Sequence, residues 1–180
     1  MPENEQNKPI DESKLDYTVT DLLIVPKLKL LTYIDAVTHI AQRIEVLTGI
    51  HYLVPIVQSA HESAYGNSGL ARNHCNLFGI TATKSWKEQN KPVALMQTWE
   101  VINGNRVDMK REFRKYPSWS ASFDDWAHII TNLSCYKKAY ELLSNKDTIS
   151  QGIVEMGKVY ATDPRYAVKL LELYDYIKAN

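Results

Sequence analysis

Glu62 stands near the end of a segment in which Leu53, Ile56, Val57, Ala60 and Ala64 recur at helical spacing. At about 100° per residue these five make one apolar stripe, and Glu62 falls opposite it. A carboxylate there is either a solvated surface group, as most Glu residues on polar helix faces are, or part of a cleft wall. The cleft reading draws on the turn that ends the segment at once, Ser63-Ala64-Tyr65-Gly66-Asn67-Ser68-Gly69, whose glycines let a ligand approach the backbone. Glu100 sits between Trp99 and Val101 in a partly alternating stretch, where an outward Glu is ordinary on a half-exposed strand. Tyr160 and Tyr166 flank Asp163-Pro164, and each is either packing or part of a site. His61 adjoins Glu62, but neighbours on a helix point about 100° apart, so it reads as a helix-flank histidine rather than a proton relay.

The elements that must position these groups are mostly helical. From Leu28 to Thr48 apolar residues recur at three and four, and Gly49 stands where a helix end wants a left-handed residue. A second helix runs from Leu53 to Ala64, with Pro55 tolerable in its first turn. Residues 67–92 read as a short turn of helix followed by loop. Ala94–Ile102 and Val107–Tyr116 flank Asn103-Gly104-Asn105, a strong hairpin signal. Further helices are predicted over Ser120–Leu133, Tyr136–Leu143 and Thr148–Tyr160, and a last one is opened by Asp163 as N-cap and Pro164 at its first position. A lone hairpin is marginally stable unless it packs on something, so residues 94–116 are expected to move more than the helices.

The chain has 180 residues, 44% hydrophobic and 23% charged, enough for one domain with a substantial core and too few for two ordinary ones. Residues 1–16 are polar and read as a flexible leader, which leaves residues 17–180 as a single domain. Lys plus Arg is 21 and Asp plus Glu is 21, so the broad electrostatic attraction that nucleic acid or an anionic membrane would exploit is missing. No apolar run approaches the roughly 18 residues of a membrane span, and the start has neither the basic nor the apolar stretch of a secretory signal. Cys75 and Cys135 are too few for a zinc cage, and no metal is expected. They read as free thiols packed as small hydrophobes, with a disulfide in an oxidising destination as the alternative.

Four motifs in order carry a resemblance. They are Ala60-His61-Glu62-Ser63-Ala64-Tyr65-Gly66-Asn67-Ser68-Gly69-Leu70-Ala71 with Asn76-Leu77-Phe78-Gly79-Ile80; Thr98-Trp99-Glu100 with Asn103-Gly104; Phe113-Arg114-Lys115-Tyr116-Pro117-Ser118-Trp119; and Tyr160-Ala161-Thr162-Asp163-Pro164-Arg165-Tyr166-Ala167. Over roughly residues 50–175 the chain resembles the glucosaminidase domains of glycoside hydrolase family 73, which cut the glycan strands of peptidoglycan. Ala64 and Tyr65 depart from the family's Gly-Trp, and His61 from its small or aliphatic residue.

The resemblance implies a mainly α (α+β), lysozyme-like helical domain with one β-hairpin lobe, the Glu62 helix and the hairpin forming two walls of a groove. It implies endo-β-N-acetylglucosaminidase action on peptidoglycan without a cofactor, with a muramidase-type lysozyme or a non-catalytic glycan-binding module as the alternatives. Glu62 becomes the general acid, Glu100 the second carboxylate and Tyr160 a cleft tyrosine needed for activity. One carboxyl must be protonated to assist departure while the other, ionised, activates water or stabilises oxocarbenium-like charge. A helix carboxylate facing a hairpin carboxylate suggests inversion, and an acetamido nucleophile is the other route. Asn76 and Phe78 are expected to shape the floor of the sugar site. Tyr65, Tyr116, Trp119 and Tyr136 are expected to contribute to it, since aromatic faces suit sugar rings. The implied partners are peptidoglycan glycan strands, with neither nucleic acid nor a membrane span. The chain is expected to be a monomer acting on the bacterial cell wall, in the periplasm or outside the cell. Delivery would then fall to phage lysis, a secretion system or a longer chain, and an injected effector would bring an immunity or delivery protein with it.

Overall fold

The computed structural model describes the backbone of residues 27–102 and 105–179 and, within these, the side chains of residues 30–98 and 107–179. The expected leader, residues 1–16, lies outside the described residues. Helix α1, Lys27–Thr48, buries Leu30, Tyr33, Val37, Ile40, Ala41 and Ile44 along one stripe. It ends as the sequence predicts, at Gly49 with φ +79°, a conformation that costs glycine little.

Helix α2, Leu53–Ser63, differs from the amphipathic helix expected of it. Every residue from Leu53 to Ala60 is buried, Gln58 and Ser59 included, so α2 is the central helix of the domain rather than a wall with one wet face. Its buried hydroxyls are paired as burial requires. Tyr33 Oη donates to Ser59 Oγ at 2.8 Å, and Ser63 Oγ donates to Ser59 O and accepts from Gly66 N. The chain then turns sharply through Ala64, Tyr65 and Gly66, all at positive φ.

The short turn of helix expected next is α3 (Gly69–His74), and the expected loop beyond it contains a second short helix, α4 (Lys84–Glu88), with Ser68 and Thr83 as the N-caps. Strands β1 (Val93–Ile102) and β2 (Asn105–Arg114) pair antiparallel, from Val93 opposite Arg114 to Ile102 opposite Asn105. The second strand starts two residues earlier than predicted and stops before Tyr116, which is pulled into the core. The hairpin base is tied down: Arg114 N donates to Ile80 O, Lys115 N to Pro92 O, and Trp86 Nε1 to Pro92 O.

Helix α5 (Trp119–Asn132) leads through a 3₁₀ turn at Ser134–Tyr136 into α6 (Lys137–Leu143), α7 (Ile149–Tyr160) and α8 (Tyr166–Ala179). Helix α8 opens two residues later than the Asp-Pro signal suggests. Asp163 instead closes a turn, its Oδ1 accepting from Arg165 N and its carbonyl from Tyr166 N. Phe78, Phe123, Trp126, Ile153, Met156 and Leu170 form the middle of a core shared by all the long helices. Both cysteines are free, and Cys135 is exposed rather than packed.

Candidate active site

Glu62 lies in the last turn of α2, half-buried, where α8 and the loop 75–80 meet it. The Tyr166 hydroxyl donates to Glu62 Oε1 at 2.6 Å. Tyr166 is itself reached by Gln58 Nε2 at 3.0 Å, and Gln58 Oε1 accepts from Trp126 Nε1 at 2.8 Å. Burial pushes the Glu62 carboxyl up from 4.5 to about 7, against the opposing pull of the Tyr166 hydrogen bond. Near neutral pH it therefore keeps a protonated form that an ordinary carboxyl has lost, with one oxygen held by a phenol. The Tyr166 and Tyr160 hydroxyls are pushed well above their ordinary value, first by burial and then by Glu62 beside them, so both stay protonated.

Gly79, at φ +63°, brings the loop backbone against this carboxyl, and a Cβ at that position would stand 3.5 Å from Glu62 Oε2. The loop is braced by Asn76. Its Nδ2 donates to the carbonyls of Ile80 and Arg114 at 2.9 and 2.8 Å, and its Oδ1 accepts from Ile80 N. Tyr160 ends α7 with its hydroxyl donating to Phe78 O at 2.5 Å and its ring stacked on Tyr166 at 6.0 Å. It thus holds the loop and the Tyr166 ring rather than touching Glu62. His61 sets its ring edgewise on Tyr166, and burial lowers its pKa, which agrees with a flank position.

The aromatic residues expected to meet sugar are mostly core. Phe78 is fully buried, stacked on Trp126 and edge-on to Phe123. Tyr65 packs edgewise on Tyr33, Tyr136 is buried, and buried Tyr116 donates to Asp125, which also grips Arg114 through both carboxylate oxygens. Asn76 is likewise 1% exposed, a brace rather than an open floor. Trp119 is half-buried, its ring on Tyr33 and against Gly66, where a Cβ would come within 2.9 Å. The physical reason is demand for volume: a domain of this size spends its large aromatic rings on the core, where each removes 150–250 Å² from water. Glu100 lies in β1 opposite Val107, and its side chain lies outside the described residues. Among the described residues, no group of three His, Cys, Asp or Glu is placed to hold a metal ion.

Tyr166, which the sequence leaves open between packing and function, is both stacked on Tyr160 and bonded to Glu62. Gln58 is the member of the site that the sequence does not single out, and its one signal is an amide one turn before Glu62 in the apolar first half of the helix. A cavity of about 600 Å³ lies beside the hairpin, lined by Thr81, Ala82, Leu95, Lys110, Arg111 and Glu112, and includes none of the groups bonded to Glu62.

The catalytic domain of the autolysin Auto from Listeria monocytogenes has the same fold, with TM-score 0.72 and 28% identity over 92% of this chain and 89% of that one. The shared architecture defines the class, a lysozyme-like glycoside hydrolase domain. Within it the chain belongs to the glucosaminidase family, whose model, described as mannosyl-glycoprotein endo-beta-N-acetylglucosaminidase, matches residues 38–179. Among curated relatives, the peptidoglycan hydrolase FlgJ of Salmonella typhimurium is 34% identical over 134 residues, 72% of this chain and 40% of that protein. A probable N-acetylmuramidase of Lactococcus lactis is 33% identical over 144 residues, 77% of this chain and 31% of that protein. The chain thus spans less than half the length of either relative.

Proposed function

We propose that this chain hydrolyses the glycan strand of peptidoglycan at the bond following N-acetylglucosamine, with Glu62 as general acid. The observation that carries the reading is the Glu62 carboxyl, raised to about 7 by burial and held through one oxygen by Tyr166. A glycosidic oxygen is a poor leaving group as an alkoxide. The Glu62 proton passes to it as the C–O bond breaks, the bonding pair stays on that oxygen, and water supplies hydroxide to the anomeric carbon. Glu100 is assigned to that water, taking the proton it releases, and Tyr160 to holding the Phe78-Gly79 backbone against the acid. The names of the FlgJ and N-acetylmuramidase relatives support a cell-wall glycan as substrate. Such a substrate lies in the periplasm or outside the cell, and among the described residues no helix is long and apolar enough to cross a membrane.

The test is turnover of purified peptidoglycan. Glu62→Gln is expected to lower it by about 10²–10⁴-fold with the fold intact, and retention of more than about a tenth would remove Glu62 as the acid. Glu100→Gln is expected to cut turnover strongly while leaving glycan binding. A mild effect together with a first-formed β anomer by NMR would assign the nucleophile to the substrate's acetamido group instead. The new reducing end decides the bond: N-acetylglucosamine supports this reading, and N-acetylmuramic acid makes the enzyme a muramidase. A folded wild-type chain that binds glycan and cleaves none would be a binding module.

A further inference from the structure

Four side chains from three helices form a directional chain of hydrogen bonds that ends on Glu62. Trp126 Nε1 on α5 donates to Gln58 Oε1, Gln58 Nε2 donates to the Tyr166 hydroxyl oxygen, and Tyr166 donates to Glu62 Oε1, at 2.8, 3.0 and 2.6 Å. Each direction is forced by the one before it. An indole N–H only donates, so the Gln58 atom facing it is the carbonyl oxygen and the amide NH₂ faces Tyr166. An amide NH₂ does not accept, so the phenol oxygen accepts there, and the single phenolic proton has Glu62 as its acceptor. Oε1 is then the acceptor of the phenolic proton, and a carboxyl oxygen without a proton accepts better than one that carries it. Gln58 and Trp126 are both 0% exposed, so solvent does not compete for the groups that set the direction.

The other carboxyl oxygen has different surroundings. Oε2 lies toward Gly79, 3.5 Å from where a Cβ there would stand, an ordinary van der Waals contact, and it is the φ of +63° that favours glycine. It is not among the buried side-chain atoms left without a partner, so it keeps contact with solvent. The remaining groups that face the carboxyl do not compete for Oε2. Tyr160 from α7 gives its proton to Phe78 O, and His61 on α2 presents its ring to Tyr166. Among the described residues, no cation is paired with Glu62.

We propose that Gln58 is a positioning residue: anchored by Trp126, it fixes the direction of this chain so that Tyr166 donates to Oε1 and the acid proton of Glu62 sits on Oε2, the oxygen facing the open side. The proposal rests on Glu62 being the general acid and adds which oxygen delivers the proton and what holds it there. A protonated Oε1 would give the Tyr166 proton a weaker acceptor and turn the acid proton toward the buried network, away from any glycan.

Gln58→Glu preserves shape but, when ionised, accepts from both Trp126 and Tyr166. The phenolic proton is drawn away from Glu62, which must then donate through Oε1. The expected result is a kcat at least tenfold lower with KM within twofold of wild type. The basic limb of the kcat–pH profile is expected to move to higher pH, because a negative charge is added and the bond favouring the ionised form is lost. A folded Gln58→Glu protein with kcat and pH limb unchanged within twofold would overturn the proposal. Neutron diffraction from wild-type crystals grown near pH 5 reads the protons directly and needs no variant. A deuteron on Glu62 Oε2 with the Tyr166 deuteron aimed at Oε1 is expected, and a deuteron on Oε1 overturns the proposal. That reading is separate from the acid role itself: an active Glu62→Gln would remove the acid assignment while the position of the deuteron stood.

Discussion

The Glu62 carboxyl is raised because burial penalises its charged form more than the Tyr166 hydroxyl relieves it, and that has a consequence for stability. Between pH 4.5 and about 7 the folded protein holds a proton that the unfolded chain has released. Stability contributed at this site is therefore greatest below 4.5, falls as pH rises through that window, and is level above it. The full shift corresponds to at most about 3 kcal/mol. Glu62→Gln, which cannot ionise, is expected to stabilise the fold by about 1–3 kcal/mol at pH 8 and by almost nothing at pH 4.5, read by urea denaturation at the two values. Equal effects at both would mean the carboxyl is not buried as described. The same titration predicts that activity declines above about pH 7 as the acid loses its proton. Tyr166→Phe, which removes the hydrogen bond favouring the ionised form, is expected to shift that decline to higher pH.

At the scale of elements, the loop 75–80 and the hairpin are held by different means. The loop is fixed by the Asn76 amide and the Tyr160 hydroxyl, both bonded to backbone, so the motif Asn-Leu-Phe-Gly-Ile acts as a brace that sets Gly79 against Glu62. The hairpin is anchored at its base through Ile80, Pro92 and Arg114. Further out, Leu95, Gln97, Lys110 and Glu112 are exposed, so a two-stranded ribbon leaves the core with little to pack against. Amide exchange is expected to be slow at Arg114 and Lys115, as slow as in α2, and much faster at residues 95–98 and 107–111, slowing there when a chitin or peptidoglycan oligomer binds. Uniform protection along the free hairpin would make it a fixed wall with no closing motion.

Across the whole molecule, the site depends on α7 and α8 lying close enough to α2 for Tyr160 and Tyr166 to stack beside Glu62. Glycines make that approach possible. Gly157 has Tyr166 and Ala167 within 3.3 Å of where its Cβ would be, and at Gly152 a Cβ would meet Leu143 at 2.7 Å, with the Leu143 backbone nitrogen at 2.9 Å. Gly152→Ala therefore forces α6 and α7 apart. It is expected to cost about 1–3 kcal/mol, outweighing the helix-propensity gain of about 1 kcal/mol, as a lowered midpoint in urea. A variant as stable as wild type would show that the α6–α7 contact yields without cost.

Local physics made much of this legible in the sequence. Helical periodicity located α1, α5 and α7, Gly49 marked the end of α1 by its left-handed backbone, and Asn103-Gly104 announced the hairpin, because each signal depends on residues adjacent in the chain. Glu62 was legible as a carboxylate next to a glycine-bearing turn. Its acidity was not, since a pKa near 7 is produced by burial among elements remote in sequence, which outweighs the opposing hydrogen bond from a tyrosine 104 positions away. The same distance in sequence hid Gln58, whose partners Trp126 and Tyr166 lie 68 and 108 positions off. Asn76, Phe78, Tyr65, Tyr116 and Tyr136 have types that suit a sugar floor as well as a core, and their burial is set by the same distant packing. Residue type states what a side chain can do. Only the packing of helices remote in sequence decided which of them were enclosed and which were paired.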